Sequence, residues 1–452
     1  MTGIKKSPAR IRDYDYALCR GYEGVNIDFP DEYILPEEYI PQVYNQEDVG
    51  SCAAHTITSC AESEQLKKGE NIVLSKGFSY SRREFRPGYD GPGLYMDDAM
   101  VGATKVGFVP YEYFPYNKEV PEIIEAASLR DDLLAIAGKI KPSAMANLCY
   151  ALKVKTWDNI RKALYIDHCA VALVSYTHFR ESHAVMGIGF TNKHGNDTGD
   201  YVIFQNSWGK EWSLDGRSEL PLDSIDEAYV FIWDEIKLPF TDVAKEAWYY
   251  KDIEKTYLSG LIKGVTETTF EPMTTFKRCD LAIIVSRMLK SIENSVNAFV
   301  KTKKLEGAEV SYSYFKTESD CKYIPEDVCD TDYFYKEALI MLANDIMPAG
   351  SLFNPDETVT RKAMAEIICN VIAQVLNLLK TAFSKDFVLP KYPVPLFEDA
   401  NDVYVNLACE FGILNGYSST EFAPLNLLKR CEGAAIMNRL FKVVDELIRQ
   451  AA

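Results

Sequence analysis

Basic charge is in deficit: 49 Lys plus Arg stand against 66 Asp plus Glu over 452 residues, for a net charge of -17 and a pI near 4.9. A field of that sign repels phosphate backbones, which excludes a general nucleic-acid binder and leaves only local cationic pockets. The eleven cysteines, from Cys19 to Cys431, contain no Cys-x-x-Cys pair. Neither a zinc ribbon nor a dense disulfide scaffold is therefore expected, no metal or cofactor site is read, and the odd count leaves at least one free thiol. No apolar run approaches the roughly 18 residues of a membrane span, and the start, MTGIKKSPARIRDYDYALCR, lacks the apolar core of a secretory signal. A soluble, non-secreted product is the expectation. What is present, 47% hydrophobic and 12% aromatic residues, is the composition of a folded globular chain, and the length suits two or three domains.

The histidines divide the chain. All five lie before residue 195, in a region of mixed texture. Ala170 to Tyr176, Ala184 to Phe190 and Tyr201 to Gln205 are short apolar runs bounded by Gly, Asn and Asp, the pattern of buried strands. Ser51 to Leu66 lacks Gly and Pro and is rich in Ala and Glu, and Thr156 to Leu164 opens with residues suited to a helix start. Helices first and strands later predict an α+β domain over residues 28–238, with residues 1–27 as a short N-terminal extension. That extension leaves room for a short plug but not for a long inhibitory prosegment.

From Phe240 onward the chain reads as helices and repeats itself. FEPMTTFKRCDLA from Phe270, FNPDETVTRKAMA from Phe353 and FAPLNLLKRCEGA from Phe422 each carry Phe-x-Pro and then an Arg: Arg278, Arg361 and Arg430. Upstream of each lies an acidic start containing Asp242, Asp327 or Asp399. An amphipathic stretch follows, ending in Gly260-Leu-Ile-Lys-Gly264, Asn344-Asp-Ile-Met-Pro348 or Gly412-Ile-Leu-Asn-Gly416. The unit is helix, turn, loop, helix, with the Asp expected to cap the first helix and Gly or Asn to end it in a left-handed turn.

This pattern resembles the S-layer homology domain, with repeats at 240–290, 323–374 and 396–445. The resemblance implies an all-α, pseudo-threefold domain that holds bacterial proteins on cell-wall polysaccharide. Of the family's Thr-Arg-Ala-Glu signature only the Arg persists in all three segments, and the acidic fourth position is lost at Ala363. Two readings of the Arg stand: contact with an anionic sugar substituent, or pairing with a neighbouring helix end.

The sharpest chemical signal is Pro41-Gln-Val-Tyr-Asn-Gln46-Glu-Asp-Val-Gly50-Ser51-Cys52-Ala-Ala-His55. A cysteine that opens a helix has its thiolate stabilised by the helix N-terminus. Gln46, six residues earlier, is suited to donate to an oxyanion. Ser182-His183-Ala-Val and Gln205-Asn206-Ser-Trp208-Gly follow, at 131 residues from Cys52 to His183 and 154 to Asn206. An imidazole that takes the thiol proton and an amide that fixes its tautomer complete a nucleophilic set. His55 is a competing partner for Cys52, one helical turn away, but its side chain lies alongside the sulfur rather than facing it.

These motifs resemble the papain-like cysteine peptidases of bacterial type over about residues 28–236. The resemblance implies a two-lobed α+β catalytic domain preceding the all-α pseudo-threefold domain. It makes Cys52 the nucleophile, His183 the base and acid, Asn206 the ring orienter, Gln46 the oxyanion side chain and Trp208 the shield of the His and Asn pair. Gly91 and Gly93, in Tyr89-Asp-Gly-Pro-Gly93, line a wall for an extended peptide or form an ordinary turn. Val49 and Ala53 depart from the secreted branch of the family, in keeping with a reduced protein. The expected activity is cysteine endopeptidase action on a peptide or protein, tethered to anionic secondary cell-wall polysaccharide. The alternatives are an inactive scaffold that only binds and a transpeptidase using the same residues. A cell-surface location follows from the repeats, and a cytoplasmic or phage-associated one from the missing signal.

Overall fold

The computed structural model describes residues 4–5, 14–22, 25–81, 93–116, 131–149, 153–179, 181–194, 197–303, 313–348 and 350–450. Two compact units part between Lys237 and Leu238.

The first unit contains strands β1 (Ile4–Lys5), β2 (Tyr14–Asp15), β3 (Glu32–Ile34), β4 (Leu94–Tyr95), β5 (Ala144–Asn147), β6 (Val171–Ser175), β7 (His183–His194), β8 (Asp197–Gln205), β9 (Arg217–Pro221) and β10 (Glu227–Ile232). Its helices are α1 (Tyr16–Arg20), α2 (Cys52–Lys67), α3 (Lys76–Ser81), α4 (Met96–Val106), α5 (Asp131–Ala137) and α6 (Lys153–Tyr165). The main sheet runs β2-β5-β10-β6-β7-β8-β9, with β3 added to β7. Gly189 allows that addition, since a Cβ there would lie 2.4 Å from the Tyr33 carbonyl oxygen. Every residue of β6 is buried, as its unbroken apolar run predicts.

Helix α2 lies against β7 and β6 on one side and α3 and α4 on another. Its residues from Cys52 to Gln65 are all buried, so it carries small residues around its circumference rather than an apolar stripe. A buried ion pair fixes its middle: the Glu62 carboxylate accepts from Lys76 Nζ and from the Leu74 N–H. Residues 14–22, expected as part of an extension, belong to this unit. β2 pairs parallel with β5, Asp15 caps α1, and Arg20, Tyr16 and Tyr22 all donate to the Asp167 carboxylate.

The second unit contains α7 (Tyr250–Leu258), α8 (Arg278–Lys303), α9 (Tyr335–Ala343), α10 (Arg361–Phe383), α11 (Val403–Glu410) and α12 (Arg430–Gln450). Short and long helices alternate, one pair for each repeated segment. The recurring Asp does a different job from the capping expected. Asp242 accepts from Phe270 N–H and Glu271 N–H, Asp327 from Phe353 and Asn354, and Asp399 from Phe422 and Ala423, at 2.6 to 2.9 Å. Each carboxylate thus grips the Phe-x-Pro turn, whose middle residue is left-handed in all three cases: φ is 56° at Glu271, 55° at Asn354 and 56° at Ala423. The grip offsets the strain that a non-glycine residue meets there. Gly260 and Gly412 supply the left-handed turn after α7 and α11, but after α9 it falls on Asp345 rather than on Asn344.

The three segments close on one another. Phe276 N–H donates to the Leu428 carbonyl, Leu428 N–H to Val359 and Val359 N–H to Phe276, a cycle of hydrogen bonds of 2.8 to 3.0 Å. Helix α10 is the one described helix long and apolar enough to cross a membrane, against the expectation of none. Met364, Ile368, Val371, Ile372, Val375 and Leu379 are nevertheless no more than 2% exposed in the core of this unit, which accounts for the apolar sequence.

Candidate active site

Cys52 begins α2 immediately after Ser51, and its side chain is wholly buried. The backbone N–H groups of Cys52, Ala53 and Ala184 all favour its thiolate. Ala184 follows His183 at the start of β7, so this contact brings the helix terminus and the histidine strand together. Burial outweighs these donors and pushes the Cys52 thiol up to about 12.

His183 Nε2 meets Asn206 Oδ1 at 2.7 Å, leaving Nδ1 as the other ring nitrogen. Asn206 is held just beyond the end of β8 by its backbone N–H, which donates to the Gly216 carbonyl. The Trp208 indole stacks on the imidazole, with ring centroids 4.4 Å apart and planes 27° apart, and Phe179 meets the imidazole edge-on at 4.9 Å. Burial lowers the His183 pKa to about 4, against the opposing pull of the Asn206 hydrogen bond.

Gln46 is laced to the same strip. Its N–H donates to the Ser207 carbonyl at 2.8 Å, its Oε1 accepts from Ser207 Oγ at 2.5 Å, and its Nε2 donates to the Val49 carbonyl at 3.0 Å. Tyr116 was not marked by any motif, yet its hydroxyl lies 2.9 Å from Ser51 Oγ and 3.2 Å from the Gln46 carbonyl oxygen. Phe179 likewise carries no sequence signal beyond its place ahead of His183.

His55 is bound elsewhere. Its Nδ1 lies 3.1 Å from the Ser51 carbonyl oxygen, Tyr116 meets its ring edge-on, and burial lowers its pKa to about 3. Gly93 adopts a left-handed φ of 102°, and its N–H donates to the Tyr80 hydroxyl next to β4. Gly91 lies outside the described residues. Among the described residues no cluster of three His, Cys, Asp or Glu side chains is arranged to hold a metal ion.

Residues 29–224 match the family model for papain family cysteine protease, and residues 239–281 match that for the S-layer homology domain. The chain joins a papain-family cysteine protease domain to an S-layer homology domain. Among curated proteins it is 25% identical over 215 residues to Exoglucanase XynX of Acetivibrio thermocellus, covering 46% of this chain and 17% of that protein. It is 22% identical over 183 residues to Cell surface glycoprotein 1 of the same organism, covering 39% of this chain and 7% of that one. The chain thus spans a small part of either relative. Among solved structures, xylellain, a cysteine protease from Xylella fastidiosa, aligns at 17% identity and a TM-score of 0.38 over 52% of this chain and 96% of that one. The bromelain protease from Ananas comosus aligns at 16% identity and 0.36 over 46% of this chain and the whole of that one.

In the second unit, the recurring arginines join successive segments. Arg278 Nε donates to the Phe353 carbonyl, Arg361 Nε to Phe422 and Arg430 Nε to Phe270, at 2.8 to 2.9 Å. Each guanidinium also lies over the ring of that same Phe. The family model covers only the first segment, but all three share this geometry.

Proposed function

We propose that the chain is a cysteine endopeptidase that works through a thioacyl-enzyme on Cys52. The cysteine at a helix N-terminus, set against the strand that starts at His183, carries this reading, with His183 held by Asn206 and covered by Trp208. In the reaction His183 takes the Cys52 proton and the sulfur attacks the peptide carbonyl carbon. The Cys52 N–H and Gln46 Nε2 donate to the resulting oxyanion. The tetrahedral centre collapses, the C–N bond breaks, and His183 gives its proton to the departing amine. Water, deprotonated by His183, then cleaves the thioester and frees the acid. Asn206 keeps the ring in the tautomer both steps need, and Gly93 lines the path of the extended substrate.

The second unit is proposed as an all-α pseudo-threefold array of three S-layer homology repeats that holds the enzyme on anionic cell-wall polysaccharide. The closed hydrogen-bond cycle among the segments supports the count, and the similarity to a protein named a cell surface glycoprotein supports the location. The grooves at Arg278, Arg361 and Arg430 are the proposed contact.

A peptidyl epoxide that alkylates papain-type thiolates tests the enzyme. Labelling should map to Cys52 and disappear in Cys52→Ala and His183→Ala. Labelling spread over other cysteines, or peptide turnover retained in Cys52→Ala, removes the assignment.

A further inference from the structure

A serine placed directly before a helix ordinarily caps it. Its backbone is extended, and its oxygen accepts from an N–H two or three places into the first turn. Asp15 before α1, Thr360 before α10 and Asp402 before α11 follow that rule. Ser51 does not. It stands immediately before α2, yet its side chain accepts from no N–H of that helix. Its backbone, at φ -111° and ψ 17°, lies in the sparsely populated region between strand and helix.

Two side chains hold the Ser51 hydroxyl away from the helix. Its Oγ lies 2.9 Å from the Tyr116 hydroxyl and 3.2 Å from His55 Nδ1. Counting protons gives these contacts a direction. Tyr116 has one proton, and it goes to the Gln46 carbonyl at 3.2 Å, which can only accept, so Ser51 O–H donates to the Tyr116 oxygen. His55 Nδ1 then faces two acceptors, Ser51 Oγ and the Ser51 carbonyl oxygen, and must carry the ring proton itself. The donors run in series from His55 through Ser51 and Tyr116 to Gln46, which gives the buried His55 a place in the site.

The consequence falls on the sulfur. Cys52, Ala53 and Ala54 open α2, and a capping Ser51 would draw off the N–H of Ala53 or Ala54. Instead the N–H groups of Cys52 and Ala53 remain on the Cys52 sulfur, beside that of Ala184. The sulfur is wholly buried, so solvent cannot replace a donor that a cap removes.

We propose that Tyr116 is a positioning residue for the nucleophile: its hydroxyl holds Ser51 out of the capping position, so that the Ala53 N–H stays with the Cys52 sulfur. This rests on the assignment of Cys52 as nucleophile and deepens it. Without the hydroxyl, Ser51 relaxes to extended backbone, caps α2 and takes the Ala53 N–H from the thiolate. The helix gains a cap as the nucleophile loses a donor.

Alkylation of Cys52 in the full chain by iodoacetamide, followed at that residue by mass spectrometry, reads the thiolate without a peptide substrate. Tyr116→Phe should slow it roughly five- to tenfold, the scale of one hydrogen bond to a charged sulfur, and lower kcat/KM for a fluorogenic peptide by the same factor. Ser51→Ala should alkylate at close to the wild-type rate. Ser51→Ala combined with Tyr116→Phe should recover that rate, because no hydroxyl is left to cap the helix. A brace that merely held the fold together would give the opposite, a double variant at least as slow as Tyr116→Phe. That result, or a Tyr116→Phe chain that alkylates like wild type, overturns the proposal. Wild-type Cys52 that resists alkylation overturns it together with the nucleophile assignment. A wild-type chain that is alkylated at Cys52 but turns over no peptide removes the peptidase reading alone, and the alkylation rates still decide the role of Tyr116.

Discussion

Replacing Trp208 by Ala isolates what its indole does for the His183 and Asn206 pair. The indole covers one face of the imidazole at 4.4 Å, and Phe179 covers an edge. Their burial, more than any charge, lowers the His183 pKa to about 4. Removing the indole admits water to that face while Phe179 remains, so only part of the depression should be relieved. A rise of about one pH unit is expected, equivalent to about 1.4 kcal/mol. Water also competes for the 2.7 Å hydrogen bond to Asn206. The ring is then held less firmly in the orientation that both proton transfers need, and a loss of about one ordinary hydrogen bond, on the order of 1 kcal/mol, lowers kcat/KM five- to tenfold. Turnover of a fluorogenic peptide gives the rate, and imidazole NMR titration gives the pKa. With only five histidines in the chain, the His183 signal can be assigned by its loss in His183→Ala. Trp208→Phe should recover part of both effects. An unchanged titration together with an unchanged rate would show that the stacking is incidental and that the ring is dried by something else.

Acid should destabilise the first unit through two buried imidazoles. His55 and His183 have pKa values of about 3 and about 4, below the ordinary 6.5, so the unfolded chain takes up protons that the folded one refuses. Stability is therefore complete above pH 6.5 and is lost progressively as pH falls from there to about 4 for His183 and about 3 for His55, by up to about 3 and about 5 kcal/mol respectively. Urea midpoints followed by tryptophan fluorescence between pH 7 and 4 should fall, with a shallower slope in His55→Gln; parallel slopes contradict the assignment. In the second unit a Cβ at Gly433 would lie 2.1 Å from the Phe276 ring. Gly433→Ala should cost about 1–3 kcal/mol from overpacking, set against a helix preference of about 1. Adding Phe276→Leu should recover the melting temperature, and a single variant as stable as wild type rules out the clash.

Much of the placement of the candidate site was readable because it depends on residue types at fixed places along extended segments. Cys52 opens its helix, His183 opens its strand and Asn206 follows the next strand, as their flanking residues suggested. The reading failed where a side chain's partner is distant in sequence. Nothing near Asp242 says that it binds the N–H groups of residues 270 and 271, and a cap on the nearest helix was the local expectation. Tyr116 reaches Ser51 across 65 residues and Phe179 owes its position to packing, so neither leaves a local pattern. Helix α2 was recognised by its lack of breakers rather than by periodicity, because it is buried all round.

The hydrogen-bond cycle through Phe276, Val359 and Leu428 has a mechanical meaning. A linear stack of helical pairs has free ends, so it can fray one repeat at a time under heat or tension. Here the last segment is fastened to the first: Arg430 N–H donates to Thr274 and Cys431 N–H to Pro272, just as Arg278 N–H and Cys279 N–H donate to Glu357 and Pro355. No segment is terminal, and pulling out any one of them breaks two of the three joints at once. The unit should therefore yield in a single cooperative step, and a load entering at Leu238 is shared by a segment as distant in the chain as Leu428 instead of peeling the nearest helix loose.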